Sequence, residues 1–240
     1  MSNQSTPVLF CIPYAGGNAS IYYKWRKSLE GVVHIIPLEM RGHGRRLNEA
    51  LYDNFDDGVE DLLQQIQDAN IETSYSIFGH SLGGMLAYEV SRRLEGKKEN
   101  IPQHVIISGC LPPNLFGTSR QKKVQEINDS SLLETIRNLG GTPEIILQDQ
   151  ELLRIFLPVI RNDFRLVEEY AFQETPSMGL PLSIYVGDAD TPCDLDSIRG
   201  WYDFTESTQK NIKIFHGGHF FIHEDEEKVI QQILTEMKIQ

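Results

Sequence analysis

The chain has 240 residues, 40% of them hydrophobic, and a formal net charge of -12 at pH 7. That length buries one sizeable core in a single domain, and the acidic balance excludes a nucleic-acid binder, which needs a concentrated basic face. Cys11, Cys110 and Cys193 are an odd set without close pairing, which fits a reducing compartment better than a disulfide framework.

The polar start, residues 1–7, shows neither a signal-peptide pattern nor a run long enough for a bilayer, so a cytoplasmic location is expected. Val8 to Pro13 then reads as a strand, followed by the loop Tyr14-Ala15-Gly16-Gly17-Asn18. A helix carries Ile21, Tyr22, Trp25 and Leu29. Val32 to Leu38 is a second strand, and Arg41-Gly42-His43-Gly44-Arg45-Arg46 a loop. A helix spans Phe55 to Ala69, a strand covers Tyr75 to Phe78, and a helical pattern opens at Leu82. Val105 to Ser108 is another strand. Val- and Ile-rich strands separated by helices predict an α/β fold, with a mostly parallel central sheet and helices on both faces.

The alternation then breaks. From Leu111 to Leu180 only helical patterns stand out, Ser131 to Leu139 and Gln150 to Tyr170, punctuated by Pro112-Pro113, Gly140-Gly141-Thr142-Pro143 and Thr175-Pro176. Strands resume at Leu182 to Val186 and Ile212 to Phe215, and Glu224 to Lys238 closes as a helix. Residues 1–240 are therefore expected to form one domain with an inserted helical lid at about 111–180. The lid would cover the sheet edge where such folds bind ligands. The segment is too long for a single crossover.

Gly79-His80-Ser81-Leu82-Gly83 lies between a strand and a helix. A G-x-S-x-G sequence in that setting makes a sharp elbow, with the serine strained and exposed above the sheet and glycines clearing the crossing of strand and helix. A serine hydroxyl needs a base and a group that orients the base. In α/β-hydrolases the partners follow in the order serine, acid, histidine. Val186-Gly187-Asp188-Ala189-Asp190 and Phe215-His216-Gly217-Gly218-His219-Phe220 end consecutive strands on the edge that carries Ser81. Asp190 is chosen as the acid for its G-x-x-D spacing, with Asp188 as the alternative. His219, after two glycines, is chosen as the base, with Phe220 and Phe221 anchoring it and His216 read as the end of the strand.

Two amides should hold the oxyanion: Leu82, after the nucleophile, and Ala15, in the first glycine-bearing loop. The spacing of His216, His219 and His223 raises a metal site, but Gly217-Gly218 breaks the helix such ligands would need, so neither metal nor cofactor is expected.

With these residues placed, the chain resembles the type II thioesterases of nonribosomal peptide and polyketide synthesis over nearly its whole length. The resemblance rests on residues 13–17, on Arg41-Gly42-His43-Gly44-Arg45, on the elbow, on Gly218-His219-Phe220-Phe221, and on a lid element. That element runs from Leu157 through Asp163-Phe164 to Glu168-Glu169-Tyr170. Asn162 stands where alanine is more usual. The resemblance implies an α/β-hydrolase fold and a stand-alone enzyme, and Met1 lying almost at the first strand is expected to set the chain apart from a chain-releasing domain at the end of a synthase. It also implies removal of acyl or aminoacyl groups from the phosphopantetheine arms of acyl or peptidyl carrier domains, by a monomer that contacts no membrane. Two basic clusters are candidate docking points for acidic carriers: Arg41, Arg45 and Arg46, and Arg120, Lys122 and Lys123. A general carboxylesterase or a chain-releasing thioesterase would use the same triad, and a non-catalytic scaffold would normally lack one of its members.

Overall fold

All six expected strands form, and each neighbouring pair runs parallel. The structure, a computed structural model, describes residues 6–118, 123–142 and 144–239, so Arg120 and Lys122 lie outside the described residues. The strands are β1 (Val8–Ile12), β2 (His34–Pro37), β3 (Tyr75–His80), β4 (His104–Ser108), β5 (Leu182–Gly187) and β6 (Lys210–Phe215), in the order β2-β1-β3-β4-β5-β6. β2 starts later than the apolar run because the amides of Val32 and Val33 turn back onto the Leu29 carbonyl. β6 starts earlier, at polar residues that an edge strand tolerates.

The helices are α1 (Tyr23–Ser28), α2 (Phe55–Asp68), α3 (Leu82–Lys97), α4 (Asp129–Leu139), α5 (Glu144–Gln148), α6 (Gln150–Glu169), α7 (Leu195–Ile198), α8 (Phe221–Glu224) and α9 (Glu226–Glu236). Side chains alternate across a strand, so β1 feeds two cores. Val8, Phe10 and Ile12 join Val59 and Leu62 of α2 and Leu86 of α3. Leu9 and Cys11 join Trp25 of α1 and Val229 and Ile233 of α9 on the other face. α2 shows why its sequence is helical: Phe55, Val59, Leu62, Leu63 and Ile66 make one apolar stripe, and the Asn54 side chain caps the Asp57 amide. The closing helix divides in two at Asp225, whose carboxylate accepts the His216 amide.

Between β4 and β5 the described residues contain α4, α5 and α6 and a single parallel bridge, Met178 to Thr205. These helices have a small core of their own, including Leu132, Ile136, Leu147, Ile160 and Phe164, against which Ala15 packs. Arg165 fastens α6 to the body by donating to the carbonyls of Tyr52 and Asp53, at 2.7 and 2.8 Å.

At the start of α3 the backbones press together. A Cβ on Gly79 would overlap the Gly83 carbonyl, and one on Gly83 would press on the carbonyls of Ile12 and Pro13. No side chain there can yield. Gly83→Ala is therefore expected to cost about 3 kcal/mol, the upper part of the range for overpacking, and urea denaturation would measure it.

Candidate active site

Ser81 sits between β3 and α3 with φ 55° and ψ -119°, a conformation disfavoured for any residue with a side chain. The neighbours enforce it. The Ser81 amide donates to the Ser108 carbonyl at 2.8 Å, and its own carbonyl accepts from Gly84 at 2.9 Å. The hydroxyl is thereby lifted above the carboxyl ends of β3 and β4.

His219, in the loop after β6, bridges the serine and an acid. Its Nε2 lies 3.1 Å from Ser81 Oγ, and its Nδ1 lies 3.0 and 3.2 Å from the two carboxylate oxygens of Asp190. A carboxylate only accepts, so Nδ1 carries the proton and the Nε2 lone pair faces the hydroxyl. The Asp190 side chain is fully buried. Gly187 allows the acid loop to lie against the histidine loop, because a Cβ there would run into the carbonyls of Gly217 and Gly218. Asp188 has other duties: it accepts the Gly217 amide at 2.9 Å and faces His216 Nδ1 at 3.2 Å. Those bonds hold its carboxyl below the usual range. His216 is not part of β6, which ends at Phe215.

The amides beside the serine sort themselves by occupancy. In the first loop Gly16 donates to Asp163 at 2.7 Å and Gly17 to the Tyr14 carbonyl at 2.8 Å. At the start of α3, Gly84 and Met85 donate to the Ser81 carbonyl. Among the described residues, the amides of Ala15 and Leu82 make no such backbone bond.

Above Ser81 and His219 is a cavity of about 30 Å³, enough for a water or two. Tyr14, Ala15 and Phe220 wall it from the body, and Ile136, Leu139, Ile160 and Phe164 wall it from α4 and α6. No acidic or basic side chain other than His219 lines it among the described residues. A larger open groove of about 760 Å³ lies at the opposite, amino-terminal end of the sheet, near Val8 and His34, away from Ser81.

The sequence profile of the thioesterase domain family matches residues 7–237. The chain belongs to the thioesterase family. The gramicidin S biosynthesis protein GrsT of Aneurinibacillus migulanus is 28% identical over 96% of this thioesterase and 89% of its own length. Among solved structures, ClbQ from the colibactin NRPS/PKS pathway is 35% identical, with a TM-score of 0.90 over 98% of each chain. The type II thioesterase BorB from the borrelidin biosynthetic cluster is 28% identical, with a TM-score of 0.86 over 97% of this chain and 93% of BorB. The family makes this chain a thioester hydrolase.

Several residues that support the thioesterase's site were not singled out from sequence. His80 packs its ring 5.2 Å from that of His219 and bonds the Ser108 hydroxyl through Nδ1 at 2.9 Å. Burial keeps it neutral, well below the ordinary histidine range, so it adds no positive charge beneath the base. The Tyr14 hydroxyl lies 3.1 Å from His223 Nε2 and donates, more weakly, to the Gly141 carbonyl at 3.4 Å. Burial pushes its phenol up to about 12, so it remains a donor. Phe221 is the buried anchor anticipated for the loop, whereas Phe220 stacks edge-on against Tyr14 and walls the cavity.

The three histidines considered for a metal have separate partners: His216 faces Asp188, His219 lies between Ser81 and Asp190, and His223 meets Tyr14. Donor atoms of Asp190, Cys193 and His219 lie within 4.8 Å of one another. Burial and the adjacent Asp190 charge push the Cys193 thiol well up. No helix among the described residues is long and apolar enough to cross a membrane.

Proposed function

We propose that this thioesterase hydrolyses acyl groups from the phosphopantetheine arms of carrier domains, clearing misprimed nonribosomal peptide or polyketide synthases. The observation that carries the chemistry is His219 standing between Ser81 and Asp190 beneath a small apolar cavity. The choice of carrier-bound substrates rests on the likeness to GrsT, ClbQ and BorB along almost the entire chain.

His219 Nε2 takes the Ser81 proton as the oxygen attacks the thioester carbonyl. Negative charge moves onto the carbonyl oxygen, which the Ala15 and Leu82 amides receive, the helix start at Leu82 adding its dipole. The intermediate collapses, the C–S bond breaks, and the pantetheine sulfur leaves with the proton from Nε2. Water then gives a proton to His219 as it attacks the acyl-serine, and the second intermediate collapses with that proton passing from Nε2 to the departing Ser81 oxygen, releasing the acid. Throughout, Asp190 holds Nδ1–H and balances the transient imidazolium.

Carrier docking through the first arginine cluster finds little support. Arg46 pairs with Glu49 and Asp61, and Arg41, with its side chain still exposed, pairs with Asp61, while Arg45 is exposed.

The cavity's size and the absence of a carboxylate in its described wall predict short, uncharged acyl groups as the best substrates. Propionyl-loaded carrier is expected to exceed octanoyl-loaded carrier by tenfold or more in kcat/KM, with glycyl-loaded carrier behind propionyl for want of a counter-charge to its ammonium. Faster turnover of simple oxygen esters of the same acids than of the carrier thioesters would instead identify a general carboxylesterase.

A further inference from the structure

We propose that His43 and Asp163 are positioning residues for hydrolysis, a buried imidazolium–carboxylate clamp that ties α6 to the loop bearing the Ala15 amide and so sets where that amide points. The inference rests on the reading of Ala15 as an oxyanion donor.

Asp163 lies on α6 with its side chain 1% exposed, and His43 with its side chain 3% exposed. One carboxylate oxygen, Oδ2, accepts from the Gly16 amide at 2.7 Å and from His43 Nε2 at 2.9 Å. The other ring nitrogen of His43, Nδ1, lies 2.9 Å from the Arg41 carbonyl. Both partners of the ring are pure acceptors, so both nitrogens carry protons and the ring is charged. The charged groups facing it are Asp163 from α6 and Glu39 from the segment after β2, while the Arg41 guanidinium turns to Asp61. Burial alone would discharge the ring, but Asp163, the Arg41 carbonyl and Glu39 together raise its pKa above the ordinary value.

The clamp acts on the reaction through Gly16. By engaging the Gly16 amide, Asp163 leaves Ala15 as the loop's unengaged donor among the described residues and fixes the peptide next to it. Loss of an oxyanion donor costs about two to three powers of ten in rate, and a misplacement of about 1 Å about two.

The test is kcat and KM on a propionyl-pantetheine thioester, corrected for uncatalysed hydrolysis, from pH 6 to 10. In the wild type kcat should fall along an alkaline limb, because the clamp is intact while His43 is protonated and loosens as pH rises through its elevated pKa. Asp163→Ala should lose about a hundredfold in kcat with KM within threefold. Asp163→Asn should recover to within tenfold of wild type and lose the alkaline limb. Its amide oxygen, in the place of Oδ2, still accepts from Gly16 and from His43 Nε2, while loss of the carboxylate charge leaves His43 neutral across this range and gives up the bond to the Arg41 carbonyl. His43→Gln, with nothing to titrate there, should also lose the limb.

A kcat for Asp163→Ala within twofold of wild type overturns the proposal, as does a loss confined to KM. If Asp163→Ala does not fold, the limb decides: its persistence in both Asp163→Asn and His43→Gln overturns the clamp. Ser81→Ala in the same series separates the two readings. Activity in Ser81→Ala sinks the triad, whereas an inactive Ser81→Ala beside an unaffected Asp163→Ala sinks the clamp alone.

Discussion

Replacing Ser81 by alanine is expected to lower kcat on a pantetheine thioester by about six powers of ten, or roughly 8 kcal/mol of barrier. The fold should survive, because the enforced backbone bonds at this position run through the amide and carbonyl, and among the described residues the hydroxyl bonds His219 alone. Residual turnover would come from the amides of Ala15 and Leu82, which still polarise the carbonyl toward attack by water. Rapid-quench measurement under single-turnover conditions, with thermal melting as the check on folding, reads both quantities. A loss smaller than a hundredfold in a folded variant would remove Ser81 from the role of nucleophile.

Asp190→Asn is expected to cost about four powers of ten. An amide at this position donates to Nδ1 instead of accepting from it, so the ring proton moves to Nε2 and the lone pair no longer faces Ser81. Full burial of the Asp190 side chain leaves no water to restore the original tautomer. Asp188→Asn is the informative contrast. That carboxylate is half exposed and serves Gly217 and His216, so kcat should change by less than threefold. Equal losses in the two variants would mean that the acid had been assigned to the wrong residue.

The six strands were legible because parallel strands buried on both faces read as short Val- and Ile-rich runs, as at Val8 to Ile12 and Val105 to Ile107. Ser81, Asp190 and His219 were legible because all three stand at strand ends, where order along the chain translates directly into nearness at one edge. The clamp was not. His43 and Asp163 are 120 positions apart and meet only through the packing of an inserted helix on a loop. A faint signal existed: Asp163 shares the buried face of α6 with Val159, Ile160 and Phe164, an odd place for an unpaired carboxylate. The engagement of Arg41 and Arg46 was hidden for a similar reason, since their partner Asp61 lies on α2 and looks like ordinary surface charge in sequence. Strand boundaries also escaped the pattern where a turn competed for the amides, as at Val32 and Val33.

Ala15 packs on the small core of the inserted helices, and Ile160 of that core walls the cavity. On the proposed mechanism, the surface that measures the acyl chain and the surface that steadies the reacting oxygen thus share one small core. An evolving variant that widens its diet by trimming Ile160 also unseats its own catalyst, so broader tolerance and slower turnover should be inherited together.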